Sequence, residues 1–379
     1  MNQINIHEIT NSKVLVKVGF DLPSLQDYSR ILDAKKTIDL LLQNQNKIIL
    51  VSHWGRPKSF EDTDFSLQKM QDLISKLLGK NVEFINQYQD FNLTLEKINQ
   101  SKSQIILLEN TRFDPAEQSK DAASRESLAK KYASFGAYFV DEAFSLSHRK
   151  EATNTELKNF LPWCFGLSFT NEIQHLDLIK NNPKKPFVVI MAGSKLETKL
   201  PIITKMLPIC DKLLIAGKLC FTFLEAAREL ALDNYGQVDF GKSQIEKDFL
   251  PTAKELLLKY KDKIVLPTDF VFGDKTANLI LDLNLEDKYA LDIGPVTIAN
   301  FQLELIKAAT VFWNGTIGYY EKPIFNKGNI EIAKFLADNK SINKILGGGD
   351  TASSLDPEIL SKINFVSMGG GASLSYLSS

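Results

Sequence analysis

The chain has 379 residues, of which 44% are hydrophobic and 24% charged, and its 45 basic and 46 acidic residues leave a formal net charge of -1. This length favours two domains, and the balanced charge argues against a broad surface for nucleic acid or membrane, which needs a basic excess. Three cysteines without a CxxC pair argue against a disulfide framework or a zinc site. The start of the chain has no signal-peptide pattern and no stretch is long and apolar enough for a membrane span, so we expect a cytoplasmic protein.

In the first half of the chain, short apolar runs alternate with amphipathic segments. Four runs rich in β-branched and aliphatic residues are predicted strands of a parallel sheet covered on both faces: Lys13–Val18, Lys47–Val51, Gln104–Leu108 and Ala137–Val140. Apolar residues at helical spacing predict helices over Arg30–Leu42 and Leu67–Leu78. A further helix is predicted over Phe169–Ile179, where Asn181-Asn182-Pro183 ends it.

The second half repeats the alternation. Its predicted strands are Pro186–Met191, Lys212–Ile215, Ile264–Pro267, Thr310–Trp313, Lys344–Leu346 and Phe365–Ser367. Alternating strands and helices predict parallel sheets with right-handed crossovers. We therefore expect an α/β protein of two Rossmann-like, three-layer α/β/α domains with mainly parallel sheets, linked by a hinge across a cleft. The predicted boundaries are 1–164, a linker helix at 165–185, a second domain at 186–365 and a short C-terminal segment at 366–379, expected at the domain interface.

Glycines follow several strands of the second half. Two runs come after predicted strands and before a helix start, Gly347-Gly348-Gly349 and Gly369-Gly370-Gly371. Glycine lets the backbone approach phosphate oxygens, and a helix that starts there directs free N–H groups at an anion. Asp350, next to the first run, could hold Mg²⁺ that bridges phosphates. The alternative, that the glycines only form tight turns, fits a single pair better than two such runs.

Two lysines four residues apart, Lys195 and Lys199, directly follow Ala192-Gly193-Ser194. On a helix that begins there, both would lie on one side and suit a polyphosphate. A solvated helix face explains the pair equally well. The chain has no GxxxxGK[ST] motif and no GxGxxG motif, which argues against a P-loop enzyme and weakens a dinucleotide-binding interpretation.

Arginines and histidines follow the strands of the first half. They are expected at one end of one sheet: Arg30, His53, Arg56, Arg112, His148 and Arg149. Arginine suits bidentate recognition of phosphate and carboxylate, although a surface ion pair would explain any one of these residues alone. Facing the glycines and lysines of the other domain, this set would hold a phosphorylated anion beside a nucleotide. Phosphoryl transfer needs mainly such positioning and charge cancellation, with water excluded by domain closure.

Nine motifs together resemble the phosphoglycerate kinase family along essentially the whole chain. In order they are VLVKVGFDLP (14–23), SHWGRP (52–57), LLENTRF (107–113), AFSLSHR (143–149), AGSKLETK (192–199), LDIGPVT (291–297), WNGTIGYYEKPIF (313–325), GGGDT (347–351) and VSMGGGAS (366–373). The resemblance implies reversible phosphoryl transfer from 1,3-bisphosphoglycerate to MgADP, giving 3-phosphoglycerate and MgATP. It also implies direct transfer without a covalent enzyme intermediate, and a monomer.

The resemblance also implies roles for individual residues. Those that would bind the glycerate are Asp21, Arg30, His53, Arg56, Arg112 and Arg149. Those that would act on the transferring group are Arg30, Lys195, Gly370 and Gly371. Those that would bind the nucleotide are Gly193, Lys195, Lys199, Gly217, Leu291, Asn314, Glu321, Gly347, Gly348, Gly349, Asp350 and Thr351, with Asp350 as the magnesium ligand.

The chain departs from the family pattern at several positions. Gly19 stands where a substrate-binding Asp is expected, and Asp21 where an Asn is expected, so we hypothesise that Asp21 serves for both. Lys218 replaces a glycine near the adenine pocket, Ser145 replaces a glycine, and the usual tail after Ser379 is missing. These departures leave open a weakened nucleotide-binding or interaction protein and a kinase of the same fold for another acyl phosphate. They also leave the choice between ADP and GDP open.

Overall fold

The computed structural model describes residues 3–21, 28–88, 90–232, 235, 237–274 and 288–379, so Leu22 and Pro23 of the first motif lie outside the described residues. The chain divides into two compact units, Met1–Gln174 and His175–Ser379. This division falls within 165–185, the segment predicted to link two domains. The binding roles predicted for each domain stay predictions at this level.

The first unit contains a six-stranded parallel sheet. Its strands are β1 Lys13–Lys17, β2 Lys47–Val51, β3 Val82–Ile85, β4 Ile105–Leu108, β5 Tyr138–Asp141 and β6 Trp163–Phe165. Their order in the sheet is β3-β4-β2-β1-β5-β6, and every adjacent pair is parallel. The four predicted strands are confirmed as β1, β2, β4 and β5. The two that were not predicted are the sheet edges, which are only four and three residues long and only partly buried.

Helices cover both faces of this sheet. They are α1 Ser29–Gln43, α2 Gln71–Leu78, α3 Phe91–Gln100 and α4 Ala122–Ala133, and α5 Leu167–Asn181 runs through the division between the units. Successive residues of β1 point to opposite faces. Val16 packs with Ile38 of α1 on one face, whereas Leu15 packs with Leu128 of α4 on the other. The continuous apolar run of β1 is therefore buried on both sides.

The second unit contains another six-stranded parallel sheet. Its strands are β7 Phe187–Met191, β8 Lys212–Ile215, β9 Ile264–Val265, β12 Thr310–Asn314, β13 Asn343–Gly347 and β14 Phe365–Ser367, in the order β14-β13-β12-β7-β8-β9. All six predicted strands are present. A two-stranded antiparallel ribbon of β10 Phe270–Gly273 and β11 Tyr289–Ile293 was not predicted. β10 is half-buried along most of its length, and β11 mixes half-buried and buried residues.

The helices of the second unit follow its strands. They are α6 Leu196–Met206, α7 Leu219–Glu229, α8 Leu250–Tyr260, α9 Pro295–Leu305, α10 Lys327–Asp338, α11 Gly349–Ser353, α12 Pro357–Leu360 and α13 Gly371–Ser378. On one face of the sheet, Ile190 of β7 packs with Phe301 of α9 and Leu336 of α10. The predicted fold, two parallel α/β sheets with flanking helices, is confirmed. Across the described residues, no helix has the length and apolar character that a membrane span requires.

Candidate active site

The predicted glycerate-binding residues follow neighbouring strands of the first sheet. We call six of them the arginine cluster: Asp21, Arg30, His53, Arg56, Arg112 and Arg149. Asp21 follows β1, His53 and Arg56 follow β2, Arg112 follows β4, and Arg149 follows β5. Because these four strands are adjacent and parallel, their carboxyl ends meet at one edge of the sheet, the edge at which open α/β sheets bind ligands.

Asp21 is a centre of contacts in the arginine cluster. Its Oδ1 accepts a hydrogen bond of 2.9 Å from the Gly55 amide, and its Oδ2 lies 3.6 Å from Nε2 of His53. Nη1 of Arg30 donates to the Asp21 carbonyl at 2.5 Å. Burial raises the pKa of Asp21, but His53, the Gly55 amide and the charge of Arg112 outweigh it and lower the pKa to about 2. Asp21 is therefore an anion at physiological pH.

His53 is almost fully buried, with 1% of its surface exposed. Neither ring nitrogen has a hydrogen-bond partner within the described part of the chain. Burial, together with the charges of Lys17 and Arg112, lowers the pKa of His53, although Asp21 acts in the opposite direction. An unsatisfied buried imidazole is costly. His53 is thus a polar group for which a ligand would supply the missing partner.

The side chain of Arg112 is positioned by the buried carboxylate of Glu151 and by a backbone carbonyl. Its Nη1 donates to the Gly55 carbonyl at 2.7 Å, and its Nη2 lies 3.5 Å from Glu151 Oε1. Glu151 also lies 3.9 Å from the ammonium of the fully buried Lys17, which is 3.1 Å from Glu117. Burial raises the pKa of Glu151, but Lys17 leads the neighbours that lower it overall. Glu151 and Lys17 were not predicted as site residues, because in the sequence they resemble any other surface charges.

The structure does not join every member of the arginine cluster by direct contacts. Arg56 is exposed, and no hydrogen bond or ion pair fixes its side chain among the residues that the structure describes. Arg149 is half-buried, and its charge adds to burial in lowering the pKa of Arg112, whereas Glu151 acts in the opposite direction. Guanidinium groups suit a phosphate or a carboxylate, so Arg56 and Arg149 stay candidates for binding an anionic ligand.

Gly19 and Ser145, two of the departures from the family pattern, lie side by side. A Cβ built on Gly19 would come 3.3 Å from Ser145 Oγ, which is its nearest contact. The serine hydroxyl therefore occupies part of the space that a side chain at position 19 would need. The hypothesis that Asp21 serves for both of the expected polar groups stays a prediction.

The second unit contains a cavity of about 1050 Å³ at the carboxyl ends of its strands. Seven of the predicted nucleotide-binding and catalytic residues line it: Gly193, Lys195, Lys199, Gly217, Leu291, Glu321 and Asp350. Asn314 and Thr351 do not line the cavity, but they form hydrogen bonds with Lys199 and Gly315, which do. The volume lies at the upper end of the range for ligand pockets and suits a nucleotide.

Close backbone packing shapes this cavity. Gly217 has φ +65°, and a Cβ there would lie 2.5 Å from the Gly193 amide nitrogen, 2.7 Å from its carbonyl oxygen and 2.9 Å from the Thr316 carbonyl oxygen. Only glycine fits such an approach. The segments after β7, β8 and β12 are thereby drawn together.

Lys199 lies at one end of the cavity. Its ammonium contacts Asn314 Oδ1, and the Asn314 amide donates to the Gly347 carbonyl at 2.7 Å. Thr351 Oγ1 accepts from the Gly315 amide at 2.8 Å. Burial lowers the pKa of Lys199 to about 8, and the nearby Asp350 opposes this shift. Lys195 is the residue before α6 and has an extended backbone, so the two lysines do not share a helix as the sequence suggested, although both line the cavity.

Both glycine runs precede helices, as predicted. Gly348 has φ +101° and precedes α11, and Gly370 has φ +55° and precedes α13, whose first residue is Gly371. Ser367 Oγ and Ser373 Oγ, 2.6 Å apart, tie the second run to its strand. The N–H groups at these helix starts are available to an anion.

Residues at the other end of the cavity were not predicted. Phe221 packs against Phe240 and Phe270, with ring centroids 5.5 and 5.6 Å apart, and Tyr289 and Gln244 complete this end. The alternation of Phe270 and Phe272 in β10 was the available sequence signal. One end of the cavity is therefore aromatic, and the other carries Lys199 and Asp350. Such a cavity suits a nucleotide, with its base at the aromatic end and its phosphates at the charged end.

Asp350 is the candidate magnesium ligand. It lines the cavity, and its charge partly opposes the lowering of the Lys199 pKa by burial. Among the described residues there is no group of three or more His, Cys, Asp and Glu side chains that could hold a metal. One carboxylate beside a phosphate site is the donor set that Mg²⁺ uses when the phosphates supply other ligands. The residues present therefore fit Mg²⁺ carried by a nucleotide.

Known phosphoglycerate kinases are similar to this chain along nearly its whole length. A phosphoglycerate kinase from Macrococcus caseolyticus is 35% identical over 382 residues, covering 98% of this chain and 94% of that protein. One from Lactobacillus delbrueckii subsp. lactis is 37% identical over 391 residues, with the same shares covered.

Solved structures and a family model extend this likeness. The phosphoglycerate kinase of Pyrococcus horikoshii OT3 has a TM-score of 0.84 at 26% identity, covering 100% of this chain and 96% of that one. That of Coxiella burnetii has a TM-score of 0.80 at 28% identity, covering 98% and 94%. The sequence model described as phosphoglycerate kinase matches residues 4–379. The chain therefore belongs to the phosphoglycerate kinase family.

Proposed function

We propose that this chain catalyses the reaction of its family with the residues of the two sites described above. The reaction is the reversible transfer of a phosphoryl group from 1,3-bisphosphoglycerate to ADP, giving 3-phosphoglycerate and ATP. It makes the protein a glycolytic phosphotransferase with a carboxyl group as acceptor. In this proposal the arginine cluster binds the glycerate and the cavity of the second unit binds the nucleotide.

The observation that carries the glycerate assignment is the unsatisfied state of the arginine cluster. His53 is buried, and neither of its ring nitrogens has a hydrogen-bond partner among the described residues, while Arg56, Arg112 and Arg149 supply positive charges at the same edge of the sheet. A phosphate and a carboxylate on a small molecule would satisfy these groups. Asp21, already ionised, would accept a hydrogen bond from the glycerate hydroxyl.

The nucleotide assignment rests on the two contrasting ends of the cavity. Lys195, Lys199 and the helix start at Gly347–Gly349 would bind the phosphates, with Thr351 and Asn314 behind them. Glu321 would accept from the ribose, and Gly193, Gly217 and Leu291 would lie along the base. Asp350 would hold Mg²⁺, which would neutralise phosphate charge when bound.

Transfer itself would need little covalent chemistry from the protein. The acceptor and donor oxygens can react in line, so the chain has to orient them and stabilise charge on the moving phosphoryl group. We assign that stabilisation to Arg30, to Lys195 and to the amides at Gly370 and Gly371. Direct transfer requires the bound ligands to meet, which we propose happens when the units close around them and exclude water.

The test is a coupled assay in the direction of ATP consumption, with 3-phosphoglycerate, MgATP and excess glyceraldehyde-3-phosphate dehydrogenase. We expect Arg30→Ala to lower kcat about 1,000-fold, the scale of a charge-stabilising arginine in phosphoryl transfer. Asp21→Ala should raise KM for 3-phosphoglycerate about fivefold, the value of one hydrogen bond. Lys307→Ala, which removes an exposed cation paired with Glu304 and outside the cavity, is the control for loss of one positive charge and should leave turnover unchanged.

Two results would contradict these assignments. A folded wild-type protein that binds MgATP but turns over no 3-phosphoglycerate would refute the proposed reaction. If Asp21→Ala left KM unchanged, the role of Asp21 would be abandoned while the reaction stood.

We also propose that the protein acts as a cytoplasmic monomer, because glycolysis supplies its substrates there and each proposed ligand set lies within one chain. Light scattering after size exclusion should then give a mass near 42.6 kDa. A stable mass of twice that value would refute the monomer.

A further inference from the structure

We propose that Lys218 makes the cavity select nucleotides with a 6-oxopurine base, guanine or hypoxanthine, over those with adenine. This inference rests on the proposed nucleotide binding and adds to it the class of base. Lys218 lines the cavity directly after Gly217, one helical turn before Phe221. It stands where the family pattern has a glycine, so the base end of this cavity carries a charge that the proposed function does not use.

The order of strands sets the direction in which a nucleotide would lie. Asp350 follows β13, Gly315 follows β12, Gly193 follows β7 and Lys218 follows β8, and these four strands are neighbours in that order. Adjacent strands are about 4.8 Å apart, so three intervals separate Asp350 from Lys218 by about 14 Å. That distance matches an extended nucleoside diphosphate, with the phosphates beside Asp350 and the base beside Lys218.

The surroundings of Lys218 support a base at this end. Phe221 and Phe270 offer aromatic surface to a purine ring, and both line the cavity. Ser243 Oγ accepts a hydrogen bond of 3.0 Å from the Ala290 amide, so this hydroxyl already has a backbone partner. Lys218 is exposed, and no hydrogen bond or ion pair holds its ammonium in the part of the chain that the structure describes. Its charge is therefore available to a ligand.

The chemistry of the bases decides which one an ammonium prefers. A lysine has three donors and no acceptor, and it suits the adjacent O6 and N7 acceptors of guanine. Hypoxanthine has the same two acceptors. Adenine instead carries a 6-amino donor, which faces the ammonium unfavourably.

Isothermal titration calorimetry of the full chain with ADP, IDP and GDP tests the proposal. For the wild type we expect IDP and GDP to bind more tightly than ADP. Lys218→Ala should reduce the ratio of the ADP and IDP dissociation constants about fivefold, the low end of a base contact because Lys218 is exposed. Lys218→Arg should keep the ratio. Lys340→Ala, at an exposed lysine that does not line the cavity, is the control for loss of one charge and should also keep it.

Three outcomes would overturn the proposal. An unchanged ratio in Lys218→Ala would show that the ammonium does not contact the base. Equal weakening of all three nucleotides would assign Lys218 to the phosphates instead. If none of the three nucleotides bound to the folded wild type, both the proposed nucleotide site and its selectivity would be refuted. An unchanged ratio of dissociation constants would refute only the selectivity.

Discussion

In the arginine cluster of the first unit, charged side chains are the groups that would bind a ligand. The cavity of the second unit is instead shaped largely by close backbone packing. Arg112 depends on Glu151, which in turn faces the buried Lys17. Gly217 instead lets the backbone segments after β7, β8 and β12 touch. The geometry of the first site depends on buried charges that compensate one another. The geometry of the second depends on a glycine position at which no side chain fits.

This difference predicts different responses to substitution. Removal of one buried charge from a balanced set leaves its partners uncompensated, which is costly in proportion to their burial. Addition of one methyl group at a close backbone approach forces main-chain movement, which is costly because no flexible side chain can give way. Loss of a charge in the cavity should affect ligand binding more than folding.

The largest expected effect is that of Lys17→Met. It leaves Glu117 and Glu151 buried without the cation between them, so we expect the first unit to lose about 3–5 kcal/mol of stability. Urea unfolding followed by hydrogen exchange of the β1 and β5 amides reports this unit separately. The exposed pair of Lys69 and Asp64 supplies the control, because Lys69→Met should produce no measurable change.

An unchanged stability of Lys17→Met would mean that the buried carboxyl groups take up protons without cost. The claim that compensating buried charges stabilise the first site would then be wrong.

Gly217→Ala comes next. Its Cβ would meet three backbone atoms within 2.9 Å at a positive φ, so we expect a loss of about 2–3 kcal/mol and weaker nucleotide binding. Thermal unfolding and ADP titration measure the two effects. Gly349→Ala is the control for stability, because a Cβ there has no heavy atom within 4 Å. Equal stability of the two variants would contradict the backbone account of the cavity.

The smallest expected effect is the pH dependence that Lys199 confers on ADP binding. Its pKa is lowered to about 8 by burial, so its positive charge is present below that pH and is lost as the pH rises through it. A bound phosphate favours the charged form, and the dissociation constant should therefore rise about tenfold between pH 7 and pH 9. Binding at pH 8 should take up about half a proton, measurable by calorimetry in buffers of different ionisation enthalpy.

Lys199→Met should bind ADP more weakly, without this proton uptake and without this pH dependence. Uptake that persisted in the variant would assign the titrating group elsewhere.

The fold was largely predictable because its central strands are continuous apolar runs. β1, β2, β7 and β12 are buried on both faces, so consecutive apolar residues fill most of their positions, with polar exceptions such as Lys17 at the strand ends. The edge strands β3 and β6 and the ribbon of β10 and β11 were missed, because these strands are short and only partly buried, so no long apolar run marks them.

The candidate sites were predictable as residue types but less so as contacts. The resemblance to a known family assigned His53 and Arg112 to one ligand, yet only the structure revealed that both ring nitrogens of His53 are buried without a hydrogen-bond partner among the described residues. The support of Arg112 by Glu151 could not be foreseen, because the two residues are 39 positions apart and meet only when β4 and β5 lie in one sheet.

What the sequence by itself determined is the alternation of strands and helices and the glycines and charges at strand ends, since local composition encodes both. Only the tertiary structure decided which charges are buried, which groups lack a partner, and that Lys218 shares a cavity with Phe221 and Asp350. The physical reason is that burial and pKa depend on neighbours brought together by folding, and sequence separation does not report them.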